Sequence, residues 1–148
     1  MQADNKDLLY FLRMLESIGK ILLYSKNYEK ADDFLFSNDQ RDYNASLLLM
    51  MHIGEQAFKI SVKTRKAFPE IDWKNIRNFR NRVAHDYINI DKLVVFYIIK
   101  NDLDLLKQQL VNCINIQLKN RIFIKEELQI SKGSIFYQHI DFTSFQDI

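Results

Sequence analysis

The chain has one cysteine, one proline and three glycines in 148 residues. Cys113 alone can close no internal disulfide and has no partner cysteine for a zinc knuckle, which fits a reducing compartment. So few breakers leave little room for the tight turns of an all-β fold, and the expected class is all-α. Also missing is any apolar run near the roughly 20 residues that cross a bilayer. The opening Met1-Gln2-Ala3-Asp4-Asn5-Lys6-Asp7 lacks the basic-then-apolar order of a signal segment. A cytoplasmic protein that does not engage membranes is expected. No group of His, Cys, Asp or Glu has metal-ligand spacing, so no metal or cofactor is expected.

Charge is nearly balanced overall at +2, but it is unevenly placed. From Lys63 to Arg82 seven basic residues stand against Glu70 and Asp72, leaving +5 there and −3 in the rest of the chain. A local excess of this kind attracts polyanions, although a solvated helix face has the same composition.

Apolar periodicity divides the chain into helices. Leu8, Leu12, Leu15, Ile18 and Leu22 step by three and four, predicting a first helix from about Asp4 to Tyr28 with Asp4 as N-cap. Residues 28–36 read as a short helix or turn. Ser37-Asn38-Asp39-Gln40 has the order of a capping box and is expected to open a second long helix running towards Phe68, stopped by Pro69. Asp72 is placed to cap a helix from Trp73 to about Ala84, and Asp91 one from Lys92 to Lys100. A break near Asn101 or Asp102 precedes a last long helix, Leu103 to about Asn120. Short connections imply an up-and-down bundle of four or five helices over residues 1–120. In residues 121–148 the stripe fades, and Phe136, Tyr137, Phe142 and Phe145 form an aromatic extension expected to pack on the bundle or on a second subunit.

The densest chemistry lies in Arg80-Asn81-Arg82-Val83-Ala84-His85-Asp86-Tyr87. Arginine holds phosphate, histidine moves protons near neutral pH and tyrosine offers a modifiable hydroxyl, a set suited to metal-free RNA cleavage. On a regular helix Arg80 and His85 project roughly 140° apart. To meet on one phosphate, either the helix loosens near Ala84 or a second subunit completes the site. The plainer reading makes His85 a helix C-cap and Arg80 the partner of a carboxylate. His52 and Glu55 stand at i and i+3 like half a di-iron site, but no second pair accompanies them. Trp73 and Phe79 could stack on bases, though their helical spacing makes them packing residues first.

Arg80-Asn81-x-x-x-His85-x-Tyr87 resembles the signature of HEPN ribonuclease domains, and the longer string resembles their HepT-like branch. Ile53-Gly54-Glu55 is similar to the Ile-Gly-Glu of that branch's second long helix. Ile71-Asp72-Trp73 is similar to its hydrophobic-Pro-Trp segment, with Asp72 in place of proline. The resemblance covers about Leu8 to Leu118 in helix order and is most specific from Ile71 to Tyr87; residues 121–148 have no counterpart in it. It implies a homodimeric HEPN toxin, a metal-independent endoribonuclease that uses Arg80 and His85 with support from Asn81 and leaves a 2′,3′-cyclic phosphate; Glu55 is expected to support the fold or the dimer cleft. Lys74, Arg77 and Arg82 are the expected RNA contacts. The implied partner is a minimal nucleotidyltransferase antitoxin that inactivates the toxin by adenylylating Tyr87. The alternative is a HEPN module without nuclease activity that binds such a partner or nucleic acid.

Overall fold

The stripe that begins at Leu8 forms α1 (Gln2–Ser25), which buries Leu8, Phe11, Leu12, Met14, Leu15, Ile18 and Ile21. The computed structural model describes residues 2–146, with side chains from Lys6 onward; the Asp4 cap lies outside the described side chains. α1 stops at Ser25 rather than Tyr28. There Ser25 Oγ donates back to the Ile21 carbonyl (2.8 Å), and Lys100 Nζ donates to the Ser25 carbonyl (2.8 Å), satisfying acceptors that further helix would otherwise have taken.

The short α2 (Ala31–Phe36) contributes Phe34 and Leu35 to the core. The expected capping box does not form. Ser37–Gln40 is a tight turn in which Asn38, Asp39 and Gln40 hold φ of 53°, 57° and 65°, and no side chain caps the helix that follows. These residues reverse the chain between α2 and α3 (Arg41–Lys59), and Asn and Asp tolerate left-handed backbone better than most residues.

α3 also ends early, at Lys59 instead of near Phe68. The cause is a buried carboxylate on α1. Asp7 accepts hydrogen bonds from the Ser61 amide (3.0 Å), Ser61 Oγ (2.7 Å) and Thr64 Oγ1 (2.7 Å). Ser61 then caps a separate helix, α4 (Val62–Ala67), through the Thr64 amide. A charged group buried this deeply needs such partners, and here they bend the chain.

Asp72 and Asp91 cap as expected, Asp72 accepting from the Asn75 amide and Asp91 from those of Leu93 and Val94. They open α5 (Trp73–His85) and α6 (Lys92–Tyr97). The break expected near Asn101 is a π-helical turn, Ile98–Asp102, through which the chain passes into α7 (Leu103–Lys119). α3 packs on both α1 and α5, and α7 packs on α1. This is an all-α up-and-down bundle, with no strand among the described residues. None of its helices is long and apolar enough to cross a membrane, among the described residues.

The segment after α7 carries a further helix, α8 (Lys125–Lys132), that the fading stripe concealed. Phe123 meets Phe11 edge-on at 6.0 Å, and Leu128, Phe142 and Phe145 are buried. His139 binds the buried Glu16 carboxylate of α1 through its backbone amide (2.7 Å) and Nδ1 (2.8 Å). Gly19 makes the approach possible, because a Cβ there would sit 2.3 Å from the His139 carbonyl oxygen. Asn115 of α7 holds the end of the segment, donating to the Ser144 carbonyl and accepting from the Gln146 amide.

Candidate functional site

α5 crosses α3 with almost no space between them at one point. A Cβ on Gly54 would lie 2.3 Å from Arg80 Cβ and 2.7 Å from Arg80 Cγ. Glycine in Ile53-Gly54-Glu55 is therefore what lets the two helices close on the Arg80 stem. Next to it, Glu55 Oε1 pairs with Arg80 Nη2 at 3.5 Å, and Arg80 Nη1 donates to Asn81 Oδ1 at 3.2 Å. Arg80 Nε is buried and has no hydrogen-bond partner. The Arg80 and Glu55 side chains remain 29% and 40% exposed, so the bridge is worth at most about 1 kcal/mol and an incoming anion can displace it.

His85 is the last residue of α5. The helical ladder stays regular to the end, with the Asp86 amide bonded to the Arg82 carbonyl at 2.8 Å, and the backbone leaves the helix only at Asp86 (φ −148°, ψ 50°). Loosening near Ala84 is thus absent, and Arg80 and His85 remain on faces about 140° apart. His85 is exposed and, among the described residues, makes no hydrogen bond, so it does not serve as the carbonyl cap of the plainer reading. The other half of that reading holds, since Arg80 does pair with a carboxylate.

Tyr87 does not continue α5; it belongs to a separate 3-10 turn, Tyr87–Asn89. Its hydroxyl donates to Asn44 Oδ1 of α3, and partial burial pushes its pKa up. Asn44 and Glu55 are eleven residues apart on α3, about 16 Å along the axis. Tyr87 therefore does not lie over the Arg80 of its own chain. Asn44 was not identifiable beforehand, because nothing local links it to a tyrosine 43 positions away.

The basic residues divide between two faces. Lys74 and Arg77 line a cleft of about 220 Å³ between α3, α4 and α5, with Gly54, Ala57, Phe58, Arg65 and Trp73. Arg82 does not line it; it shares an exposed face with His85, three positions on. Trp73 leans on Phe11 and donates its Nε1 to the Phe68 carbonyl (3.1 Å), so it is chiefly a packing residue. Phe79 lines a separate apolar groove with Met50, Ile53, Ile76 and Leu106. His52 is partly buried, which lowers its pKa against the opposing pull of Glu55. Among the described residues no three His, Cys, Asp or Glu side chains gather as a metal site requires. The Cys113 thiol is pushed up to about 12, first by burial and then by the Glu70 charge, so it stays protonated and unreactive.

An all-α bundle with an Arg-Asn-x-x-x-His end on one long helix, braced by an Ile-Gly-Glu turn on the neighbouring helix, defines the class of HEPN domains. Residues 14–112 match the family described as "Ribonuclease HepT-like", and the chain belongs to that family. It is 28% identical over 108 residues to "Putative RNase MJ1380" of Methanocaldococcus jannaschii, covering 73% of this chain and 94% of the relative. It is 29% identical over 110 residues to "Probable ribonuclease HepT" of Thermococcus cleftensis, covering 72% of this chain and 93% of that protein. A 27% match over 121 residues to "Gamma-glutamylcyclotransferase and putative RNase MJ0434" of M. jannaschii spans 82% of this chain and 52% of that protein. No solved structure matches the chain significantly.

Proposed function

We propose that the protein is the ribonuclease toxin of a toxin–antitoxin pair and cleaves RNA by metal-independent transphosphorylation. The observation that carries this is a partly exposed Arg80, weakly held by Glu55, on the same helix as an unengaged His85 that its own chain cannot bring to the same phosphate. A twofold dimer with its axis beside the motif resolves that mismatch, because each protomer then supplies one histidine and one arginine. One His85 takes the proton of the ribose 2′-hydroxyl, whose oxygen attacks phosphorus. The partner's His85 gives a proton to the departing 5′-oxygen, leaving a 2′,3′-cyclic phosphate and a free 5′-hydroxyl. The Arg80 guanidinium carries the charge that builds on the phosphorane oxygens. Asn81 and Glu55 hold that guanidinium by its two ends, and Lys74, Arg77 and Arg82 bind flanking phosphates. Control falls to a nucleotidyltransferase antitoxin that adenylylates Tyr87.

The decisive experiment is cleavage of single-stranded RNA by the purified protein with excess EDTA. Activity with a cyclic-phosphate product is expected, reduced at least 10³-fold in both Arg80→Ala and His85→Ala, with each variant folded by circular dichroism. Activity that vanishes on chelation and returns with magnesium would sink the mechanism, and full activity in His85→Ala would restore the plainer structural role.

A further inference from the structure

Three cations from two helices converge on the cleft beside Gly54 without an anion among them. Arg65 comes from the last turn of α4, and Lys74 and Arg77 come from the first half of α5. Among the described residues none of the three makes an ion pair, and no carboxylate lines the cleft. Arg65 Nε is buried without a hydrogen-bond partner, which is costly unless something bound supplies an acceptor. Arg77 sits over the Phe58 ring, its guanidinium carbon 4.5 Å from the centroid, a contact that holds the side chain beside the cleft. Glu55, the acid next to Gly54, is turned to Arg80.

We propose that this cleft is a phosphate subsite for substrate RNA, in which Arg65, Lys74 and Arg77 hold a backbone phosphate next to the scissile one. Arg65 is the residue that the motif does not announce. It lies upstream of Pro69 on a short helix, and it reaches the site only because Asp7 pins Ser61 and Thr64 and so sets the direction of α4. Arg77 and Arg80 are separated by about 4.5 Å along the helix axis, so a strand whose scissile phosphate lies at Arg80 presents a neighbouring phosphate to the cleft. The cleft, with Gly54 and Ala57 among its lining, has about 220 Å³ for a phosphate group. The subsite rests on the ribonuclease reading and adds to it the direction in which the strand runs, along α5 towards Trp73.

The test pairs protein variants with single neutral linkages in the RNA. Binding of a single-stranded oligonucleotide by the full chain carrying His85→Ala is measured with a methylphosphonate at each position in turn. Removing one phosphate contact should lower the slope of log K against log salt by about 0.7. One linkage, adjacent to the cleavage position, should weaken binding when neutralised, but not when Arg65→Met or Lys74→Gln is already present. In the cleaving protein, Arg65→Met should raise KM severalfold with a smaller change in kcat, and Arg65→Lys should recover part of the loss. Lys74 is exposed, so its variant reports even if Arg65→Met fails to fold. RNA cleaved in an Arg80-dependent way with no linkage coupled to Arg65 or Lys74 overturns the subsite alone. A wild-type protein that neither binds nor cleaves RNA overturns the subsite together with the ribonuclease reading.

Discussion

Gly54 shows how a single residue governs this site. Alanine is the better helix former by about 1 kcal/mol, yet its methyl would lie 2.3 Å from Arg80 Cβ. Forcing α3 and α5 apart costs about 1–3 kcal/mol, so overpacking outweighs propensity. Gly54→Ala should therefore lower the melting temperature and reduce RNA cleavage at least tenfold by moving the guanidinium; a variant matching wild type in both would show that the helices are not closed here. Tyr87 is tested separately. Its hydroxyl makes one exposed bond to Asn44, so Tyr87→Phe should cost no more than about 1 kcal/mol. It should keep cleavage while escaping inactivation by the cognate nucleotidyltransferase and ATP. Continued adenylylation and silencing of Tyr87→Phe would assign the modification to another residue.

At the level of elements, the part of the C-terminal segment around His139 is held on α1 by one carboxylate and one glycine. Glu16 takes two hydrogen bonds from His139, and Gly19 leaves room for the His139 backbone. Gly19→Ala should loosen residues 134–140 from α1 while the bundle keeps its helices, because α1's apolar stripe faces the other helices and Asn115 of α7 still holds Ser144 and Gln146. Limited proteolysis should then cut near Gly133 in the variant faster than in wild type. Equal cutting rates would mean that the contact does not hold the segment. The π turn between α6 and α7 is a second element-level device, since its extra residue lets two helical stripes of different phase bury Ile99 and Leu103 together.

For the whole molecule the outstanding feature is a set of exposed apolar side chains following the motif. Tyr87, Ile88, Leu93, Val94 and Tyr97 stand open to solvent from the end of α5 through α6, and Ile88 is 87% exposed. Such an exposed apolar patch marks a contact surface, and a second copy meeting it would bring two His85 residues towards one cleft. Sedimentation equilibrium at micromolar concentration should give a dimer. Ile88→Asp should yield monomers that fold and have lost RNA cleavage, whereas an active monomer would refute the shared site.

The helix order was legible in the amino-acid sequence because amphipathic periodicity and aspartate caps are local. The stripe from Leu8 and the caps at Asp72 and Asp91 lie where that reasoning placed them. Arg80, Asn81 and His85 were legible as a motif for the same reason. Helix ends governed by distant partners were not: α3 stops where Asp7, 54 residues earlier, binds Ser61. The turn at Ser37–Gln40 has capping-box composition but left-handed backbone, since reversing the chain between two packed helices overrides a local hydrogen-bonding preference. Only the tertiary structure joined Arg65 to Lys74 and Arg77 and turned Tyr87 to Asn44. Each depends on how helices cross, and crossing is decided by packing among residues far apart in the chain.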